Sequence, residues 1–472
     1  MAAVLQVHPI EIPEAAGFDD PLAALDSIAK GRGDYTLLHS GPAAGFSVLG
    51  WWPLVRLLID AHGVARVNAP AGIELPKLPI DPLRALEQCT EHFSFESPHP
   101  LIGWLGFVSY DIGRHIEWLP SVATDDVRWP LVCFTLFRQY VIFDRAGGKT
   151  SAFCVSTGDV PQTTYAFPPQ RARSEALPFV PGRLLEVPSP ERYEDAVRRV
   201  REYIAAWDIY QANVSRRWGI RTLVAPHVLF RRLCEFSPAT YSACMRINDS
   251  AEREPGGGVR HVLSASPELF LAVENGRAVT RPIKGTRPRD ISDEGRDAAL
   301  REALLDSAKD AAELTMIVDL LRNDLGRVSK FGTVRVTEPR VIEQHPTVWH
   351  TAATIASELR EDAGLAEVLA ALCPGGSITG APKIRAMQII EELEAHRRGL
   401  YCGNIGVIGA PNPAGGCPNL ALNIAIRTIQ MDGDMAYVHA GAGIVADSDP
   451  AQEYEETLHK AAAMLRTLGI DP

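Results

Sequence analysis

His261-Val-Leu-Ser-Ala-Ser266 and Leu269-Phe-Leu-Ala-Val273 are two short apolar runs that are separated by only two residues. A third strand-like run, Val214–Ile220, lies upstream of them. Each run has the length and the apolar, β-branched or aromatic content of a strand. Strands that come in clusters, without a helix after each one, are typical of an α+β fold rather than of a doubly wound parallel sheet. The sequence therefore predicts an α+β fold.

Around this cluster the chain divides into three parts. Residues 35–143 alternate short apolar runs with Gly and Pro, which predicts strands that are mostly antiparallel. Seven prolines between residues 156 and 190 predict a connection with little regular structure. We therefore expect an N-terminal region at residues 1–155, a Pro-rich connection at residues 156–188 and a C-terminal region at residues 189–472.

Helix signals are clearest in the C-terminal region. Ser189 followed by proline predicts an N-cap, and the apolar residues after it recur at helical spacing. A long helix is expected over about residues 293–327, with a break before Asp324. The last helix should start at Asp449 and end near Gly469, a glycine of the kind that often follows a helix.

Composition excludes several classes of protein. The 472 residues are 46% hydrophobic and 22% charged, which is ordinary for a soluble globular enzyme. The formal charge of −11 argues against a general nucleic-acid binder. No run approaches the roughly 18 apolar residues of a membrane span, and the N-terminus lacks the basic segment of a signal peptide. Eight scattered cysteines without a CxxC pair indicate reduced thiols, so we expect a cytoplasmic protein.

Lys284 lies in an unusual basic segment, Arg281-Pro-Ile-Lys-Gly-Thr-Arg-Pro-Arg289. The chain has 39 arginines and only 8 lysines. Neighbouring cations disfavour the ammonium form of a lysine, so this amine is a candidate nucleophile. The arginines would also suit an anionic substrate, because a guanidinium can bind a carboxylate through two hydrogen bonds. The alternative is a solvated lysine on a basic turn.

Four carboxylates are candidates for acid chemistry or for a metal. Glu268 follows a predicted strand, where it could act as a general acid or be a surface turn residue. Glu313 lies in an apolar helical stretch, where a carboxylate needs a partner. Glu453 and Glu456 share one face of the last helix with Lys460. Carboxylates from two helices suit Mg²⁺, although a salt-bridged, solvated helix face is the more common explanation for the last helix taken alone.

Three glycine-rich segments, at residues 374–383, 403–406 and 440–443, lack the spacing of a phosphate-binding loop. Nucleotide binding is therefore poorly supported. What these glycines permit is the close approach of backbone N–H groups to a small anionic ligand.

Taken together and in this order, the motifs resemble those of the chorismate-utilising enzyme family. The segments that carry the resemblance are Pro282-Ile-Lys-Gly-Thr286, Ile317-Val-Asp-Leu-Leu-Arg-Asn-Asp324, Gly375-Gly-Ser-Ile-Thr-Gly-Ala-Pro-Lys383, Ala440-Gly-Ala-Gly-Ile-Val-Ala-Asp-Ser448 and Glu453-Tyr-Glu-Glu456. The likeness is strong over residues 190–467 and fainter over residues 35–145. It implies a large antiparallel β-sandwich with surrounding helices. In that fold, residues 189–472 would form the chorismate-binding catalytic domain, and residues 1–155 an N-terminal region of the anthranilate synthase component I type.

The resemblance also assigns roles at the matching positions. Glu313 and Glu456 would hold Mg²⁺, with Glu453 near the metal and its waters. The positions that would bind chorismate or line its pocket are Gln211, Thr286, His350, Thr379, Lys383, Tyr401, Arg427, Gly441, Ala442, Gly443 and Lys460.

Two positions distinguish branches of the family. Lys284 stands where the branch that makes anthranilate has alanine and the branch that makes aminodeoxychorismate has lysine. Gln211 stands where isochorismate and salicylate synthases have a water-activating lysine, and an amide cannot act as that base. The resemblance therefore implies amination of chorismate to 4-amino-4-deoxychorismate, for para-aminobenzoate and folate synthesis. Lys284 would attack C2 of the ring, and Glu268 would protonate the departing C4 hydroxyl.

The nitrogen source is implied by what the sequence lacks. None of the eight cysteines stands in the Gly-x-Cys-x-Gly setting of a glutaminase nucleophile. A separate glutamine amidotransferase subunit is therefore the expected source of ammonia, and neither a nucleic acid nor a membrane is an expected partner.

Tryptophan is a further candidate ligand, because the family can hold it in a pocket between the sheets. Ser40, Thr240, Tyr241 and Ser242 match positions of that pocket, but they would also suit ordinary core strands. The match leaves bound tryptophan open and does not predict inhibition by it. Two other hypotheses for the function of the chain remain. One is anthranilate synthesis, and the other is a non-catalytic, tryptophan-binding regulatory homologue.

Overall fold

The computed structural model describes most of the chain, namely residues 3–13, 18–31, 33–41, 45–97, 99–157, 167, 179–249, 259–413 and 415–471. The strands are β1 (Ala3–Ile10), β2 (Tyr35–His39), β3 (Phe46–Ile59), β4 (Ala65–Asn68), β5 (Phe93–Phe95), β6 (Trp104–Val108), β7 (Val132–Asp144), β8 (Lys149–Ser156), β9 (Arg183–Glu186), β10 (Gln211–Arg221), β11 (Tyr241–Ile247), β12 (Arg260–Ser266), β13 (Leu269–Glu274), β14 (Arg277–Arg281), β15 (Ile283–Pro288), β16 (Arg335–Gln344), β17 (Val348–Glu358), β18 (Gly380–Ala381), β19 (Asn404–Ile408), β20 (Leu420–Asn423), β21 (Thr428–Asp432) and β22 (Met435–Ile444).

The helices lie between these strands and pack outside the sheets. They are α1 (Pro21–Ala29), α2 (Pro82–His92), α3 (Gly113–Ile116), α4 (Pro190–Ala205), α5 (Pro226–Phe236), α6 (Glu294–Leu305), α7 (Ala308–Gly326), α8 (Leu365–Leu372), α9 (Lys383–Leu393) and α10 (Pro450–Thr467).

The paired strands form one continuous network, which divides into two large antiparallel sheets that share β3 and β7. The first sheet has the order β9–β10–β22–β21–β12–β11–β2–β3–β7–β8–β1, with β18 also paired to β10. The second has the order β4–β3–β7–β6–β19–β20–β13–β14–β17–β16, with β15 also paired to β17. The single parallel pair that these described strands show is β1 with β5. The predicted α+β class and the antiparallel sheets are confirmed.

Two long strands, β3 and β7, belong to both sheets. The first part of β3 pairs with β2 and its last part pairs with β4. Likewise, β7 pairs with β6 at its start and with β8 at its end. The pairing of β3 with β7 shifts register between Pro53 and Val55, next to Trp52, whose φ is 59°. This bulge lets the pair bend from one sheet into the other.

Strands from the N-terminal and C-terminal regions pair with one another. In the first sheet β2 pairs with β11, and in the second β6 pairs with β19. The largest buried cluster also combines both regions, for example Trp104 and Phe134 with Phe270 and Leu422. Most of the predicted connection lies outside the described residues, but its end contains β9, which pairs with β10.

The helix predictions agree well with the structure. Ser189 caps α4 by accepting a hydrogen bond from the backbone N–H of Arg192. The long helix predicted over residues 293–327 is two helices, α6 and α7, because Ser307 starts a new N-cap. The last helix is α10, with Asp449 as its N-cap. Among the described residues, none of the helices is long and apolar enough to cross a membrane.

Gly106 and Gly406 face each other across the β6–β19 pair and leave no room for a side chain. A Cβ on Gly106 would overlap the carbonyl oxygen of Cys133, which belongs to the backbone of β7.

We expect Gly106→Ala to lower the free energy of unfolding by about 1–3 kcal/mol, because the backbone must move to admit the methyl group. The control is Gly326→Ala, where the added Cβ meets no atom within 4 Å. That change should be neutral or stabilising, since alanine favours a helix by about 1 kcal/mol over glycine. Urea unfolding of both variants measures the difference, and equal midpoints would contradict the expectation.

Candidate active site

Lys284 lies in β15, and its side chain reaches the loop that precedes β18. Its Nζ donates to the carbonyl oxygen of Ser377 at 3.0 Å. Gly285, with φ 75°, forms a bulge in the pairing of β15 with β17, and this left-handed conformation favours glycine. A Cβ at Gly285 would also crowd Asp310 and Leu304 of the neighbouring helices. The glycine in the motif therefore has a direct structural role beside the lysine.

Desolvation, rather than neighbouring arginines, lowers the pKa of Lys284. Glu268 and Glu313 oppose this shift, and each feels the charge of Lys284 in turn. Burial disfavours the charged form of any group, so a desolvated amine loses its proton more easily than a free lysine. The activated amine at Lys284 stays a prediction, with desolvation rather than neighbouring arginines as its physical basis. Lys284 lies in a partly buried strand, so the alternative of a solvated lysine on a basic turn does not describe it.

The three arginines of the motif are occupied by carboxylates of this chain. Arg281 ion-pairs with Glu338 and Glu343. The other two pairs are Arg287 with Asp310 and Arg289 with Asp297. The prediction that these arginines bind an anionic substrate is therefore not supported by their contacts. Sequence alone could not supply these partners, because they come from β16, α6 and α7.

Glu268 is buried between β12 and β13, with 4% of its surface exposed, and is not a surface turn residue. Burial raises the pKa of Glu268, while Lys284 and Arg427 lower it. Its Oε1 has no hydrogen-bond partner among the described residues. A carboxyl group with a raised pKa and a free oxygen suits proton transfer to a bound ligand.

His350 and Thr286 lie opposite each other in β17 and β15. The Thr286 hydroxyl and the His350 Nδ1 are 2.9 Å apart, and the His350 Nε2 is buried without a partner in the described part of the chain. Burial lowers the pKa of His350 to about 3, so the imidazole is neutral at physiological pH. Arg427 adopts φ 50° beside this site, and desolvation lowers its pKa while Glu268 opposes that shift.

The three predicted metal ligands come from α7 and α10. Burial raises the pKa of Glu313 and of Glu453, and the negative charge of Glu456 raises both further. Burial also acts on Glu456, but Lys460, whose Nζ is 2.6 Å from Glu456 Oε1, outweighs it, so the pKa of Glu456 is lowered. The same Lys460 Nζ donates to the carbonyl oxygen of Gly441 at 3.1 Å.

These carboxylates fit the chemistry of Mg²⁺, although they do not form a closed cage. The described residues contain no group of three or more His, Cys, Asp or Glu side chains close enough to hold a metal ion by themselves. The donors are all oxygens, and Mg²⁺ is commonly bound by one or two carboxylates together with waters and substrate oxygens. Mutual repulsion between Glu313 and Glu456 is the expected state of such ligands before a cation binds.

The glycine segment at residues 441–443 lies in β22 and pairs with β10. Gly441 is opposite Ser215, and Gly443 is opposite Asn213. A Cβ on Gly443 would overlap the Gln211 side chain, and one on Gly441 would lie 2.9 Å from Asn213 Oδ1. The buried Gln211 Oε1 has no partner in the described part of the chain. Between the glycines, Ala442 points to the opposite, buried face.

Three other predicted pocket residues have clear structural partners. Thr379 donates to the carbonyl oxygen of Gly375 at 2.9 Å. Tyr401 stacks on His439 with ring centroids 5.1 Å apart. Lys383 is not drawn toward Lys284, because its Nζ is bound to Asp324 Oδ2 at 2.6 Å and to the carbonyl oxygen of Leu372 at 3.2 Å.

The predicted tryptophan positions come together where β2 meets β11. Ser242 pairs with His39, which places Ser40 beside the start of β11. The Ser40 backbone N–H donates to the Ser47 hydroxyl at 3.2 Å, and the Ser242 hydroxyl donates to the carbonyl oxygen of Ala239 at 3.0 Å. Thr240 and Tyr241 lie between Ala239 and Ser242 in the chain. This geometry is compatible with a tryptophan pocket, and it is equally compatible with the alternative that these residues belong to ordinary core strands.

Two residues that hold the site were missed by sequence reasoning. Ser377 binds Lys284 through its carbonyl oxygen, and its side chain helps to lower the pKa of Glu268. Asp324 binds Lys383 from the end of α7. Both stand inside motif segments quoted above, but a backbone contact and a long-range ion pair leave no local pattern in a sequence.

Comparisons with known proteins find relatives over nearly the whole chain. The family described as chorismate binding enzyme matches residues 59–466. Aminodeoxychorismate synthase component 1 from Bacillus subtilis is 33% identical over 96% of this chain and 95% of its own length. Anthranilate synthase component 1 from Thermus thermophilus is 39% identical over 98% of each chain. The crystal structure of anthranilate synthase component I from Streptococcus pneumoniae has a TM-score of 0.71 at 30% identity and covers 90% of this chain and 93% of that chain.

The chain therefore belongs to the chorismate-binding enzyme family. Because relatives that make aminodeoxychorismate and relatives that make anthranilate both match over nearly the whole chain, family membership does not by itself choose between these two products.

The Lys383–Asp324 pair yields a stability prediction. Its side chains are 13% and 6% exposed, so Lys383→Met should leave Asp324 buried and unpaired. We expect a loss of about 3–5 kcal/mol in the free energy of unfolding, and recovery of much of that loss in the double variant Lys383→Met/Asp324→Leu.

Thermal unfolding of the two variants and the parent tests this prediction. A Lys383→Met protein as stable as the parent, but with weakened chorismate binding, would show instead that Lys383 serves the substrate.

Proposed function

We propose that this protein is component I of an aminodeoxychorismate synthase, which converts chorismate and ammonia to 4-amino-4-deoxychorismate. The observation that carries the proposal is the combination of Lys284, an amine whose pKa is lowered by desolvation, with the buried carboxyl of Glu268, whose charge acts on Lys284. A nucleophile and a proton donor in one desolvated pocket suit covalent catalysis of a substitution. The chain is also 33% identical to the Bacillus subtilis aminodeoxychorismate synthase component 1, so the proposed activity is among those named for its relatives.

The proposed reaction proceeds in two substitutions. The Lys284 amine forms a bond to C2 of the chorismate ring, the two conjugated ring double bonds shift, and the C4–O bond breaks. Glu268 gives its proton to the departing hydroxyl, which leaves as water. Ammonia then forms a bond to C4, the two double bonds return, and the C2–N bond to Lys284 breaks. The added nitrogen gives up one proton to the Glu268 carboxylate, which restores the starting acid. The pyruvyl group stays attached throughout.

The remaining site residues would bind and orient chorismate. Arg427 has no carboxylate within ion-pair distance among the described residues, so its charge is available for a substrate carboxylate. The neutral His350 can hydrogen-bond a ring substituent through its free Nε2. Glu313 and Glu456, with Glu453 nearby, would hold Mg²⁺, which when bound supplies positive charge to a chorismate carboxylate.

The second candidate is anthranilate synthesis, which is favoured by the 39% identity to the Thermus thermophilus enzyme. Both reactions consume chorismate and ammonia, but only anthranilate formation releases pyruvate. Tryptophan binding at Ser40 and the β11 positions remains a proposal for either enzyme.

The first experiment incubates the purified chain with chorismate, Mg²⁺ and ammonium and identifies the product by mass. We expect aminodeoxychorismate without pyruvate, a faster rate at higher pH because more ammonia is unprotonated, and no reaction in excess chelator. Glutamine as the only nitrogen source should give no product until an amidotransferase subunit is added. Anthranilate with stoichiometric pyruvate would overturn the proposal in favour of the second candidate.

A second experiment replaces the nucleophile. Lys284→Ala should reduce the rate by at least a hundredfold, because the substitution loses its covalent step. Arg287→Ala is a matched control in the same strand, since Arg287 is paired with Asp310 and is 34% exposed. Trapped parent enzyme should also carry a substrate adduct on the peptide that contains Lys284. Full activity in Lys284→Ala would remove the proposed nucleophilic role.

A further inference from the structure

Ser377 lies in the middle of a buried turn beside Lys284 and Glu268. The turn is a single 3₁₀ segment, Gly376–Ile378, between α8 and β18. Ser377 is 4% exposed, and its carbonyl oxygen accepts a hydrogen bond from the Lys284 Nζ at 3.0 Å. The Lys284 amine is therefore held by the backbone of this turn.

Two buried contacts fix the backbone on the C-terminal side of the turn. Arg398, which is 1% exposed and ion-paired with Glu394, donates to the carbonyl oxygen of Ile378 at 2.9 Å. The carbonyl oxygen of Thr379 accepts from the backbone N–H of Asn213 at 2.7 Å. A turn that is anchored in this way keeps its own carbonyl oxygens in place when a ligand enters.

Glu268 approaches the same turn from the loop between β12 and β13. Its backbone is fixed, because its N–H donates to the Ser266 hydroxyl at 3.3 Å and its carbonyl oxygen accepts from the backbone N–H of Ile424 at 3.0 Å. The Ser377 side chain lies close enough to the Glu268 carboxyl to lower the pKa of that group, against the larger effect of burial. Ser377 is therefore a neighbour of the proposed acid as well as of the proposed nucleophile.

The Ser377 hydroxyl oxygen and the Glu268 Oε1 are both buried, and neither meets the geometry of a full hydrogen bond with a described atom. Buried polar atoms without a full hydrogen bond cost free energy, so a native structure that keeps two such neighbours requires an explanation. Catalytic hydrogen bonds are often long in the unliganded state and tighten when the substrate binds. A serine hydroxyl that donates to one carboxyl oxygen would leave the other, Oε1, for the departing group of the substrate.

We propose that Ser377 is a positioning residue, which holds the Lys284 amine through its carbonyl oxygen and the Glu268 carboxyl through its hydroxyl. The inference rests on the proposed function, because it takes Lys284 as the nucleophile and Glu268 as the acid.

The two contacts of Ser377 act on the same chemical step. One N–H of the neutral Lys284 amine is bound to the turn, which restricts the direction of the nitrogen lone pair. The Glu268 carboxyl is bound to the same turn, so one rigid segment sets the distance between the bond that forms at C2 and the bond that breaks at C4. A displacement of a reacting group by about 1 Å can lower a rate by about a hundredfold.

The test removes the Ser377 hydroxyl and keeps the carbonyl oxygen. Ser377→Ala does this directly, and Ser377→Cys puts a thiol, which is a weak donor, in place of the hydroxyl. The matched control is Ser264→Ala in β12, where the lost hydroxyl is 2.8 Å from the Thr428 hydroxyl, which also donates to the carbonyl oxygen of Ile426. Infrared spectroscopy follows the protonated carboxyl band of Glu268 against pH in each ligand-free protein, and Glu268→Gln identifies that band.

We expect the pKa of Glu268 to rise in Ser377→Ala and in Ser377→Cys, because a group that stabilises the carboxylate is lost. Glu268 then stays protonated to a higher pH, so the alkaline limb of the pH profile for chorismate conversion should move upward. At the parent's pH optimum, kcat should fall at least tenfold, with a change of less than threefold in the KM for chorismate. Ser264→Ala should keep the parent's kcat, pH profile and Glu268 titration.

A folded Ser377→Ala with the parent's Glu268 titration would overturn the positioning role, and so would a lower kcat without any change in that titration. If Ser377→Ala does not fold, an unchanged titration in Ser377→Cys would overturn it.

This proposal and the proposed function fail separately. Anthranilate as the product would refute the proposed function, while the infrared titration still decides whether Ser377 holds Glu268. Aminodeoxychorismate as the product, with an unchanged titration in both Ser377 variants, would refute the positioning role alone.

Discussion

The fold depends on the pairing of β3 with β7, because these two strands are the members that both sheets share. If that pair bent elsewhere, β2 and β6 would lose the edges on which they extend the two sheets. The register shift beside Trp52 is therefore a requirement of the architecture. The strands that contribute residues to the candidate active site, from β10 in one sheet to β15 in the other, are positioned relative to this bend.

Within the candidate active site, desolvation affects the pKa of Lys284 more than the charged residues next to it in the sequence do. The basic segment around Lys284 suggests repulsion between cations, yet its arginines are each bound to carboxylates from distant elements. What remains around the amine is a buried environment with Glu268 and Glu313. Burial pushes the pKa of an amine and the pKa of a carboxyl in opposite directions, so both move toward neutral forms. Under the proposed function, these two shifts suit Lys284 as the nucleophile and Glu268 as the acid.

Local signals in the sequence were sufficient for the strands around residues 214–273, the Ser189 cap and the final helix, because each depends on neighbours in the chain. The motif resemblance placed Thr286, His350 and Lys284 in one pocket, and the structure brings them together. Contacts between segments that are far apart in the sequence could not be predicted from local signals or motifs. The ion pair of Lys383 with Asp324 and the role of the Ser377 carbonyl oxygen are both determined by packing rather than by a local pattern.

The exchange of strands between the two regions also has a consequence for biosynthesis. When a ribosome has released only the first 155 residues, β2 and β6 each expose an edge whose partner, β11 or β19, has not yet been made. β10 must wait for more than 200 further residues before it can pair with β22. Contacts so distant in sequence form slowly, and open strand edges associate readily with other chains. While the protein is being synthesised, its own later strands and the strands of other chains therefore compete to pair with the same open edges.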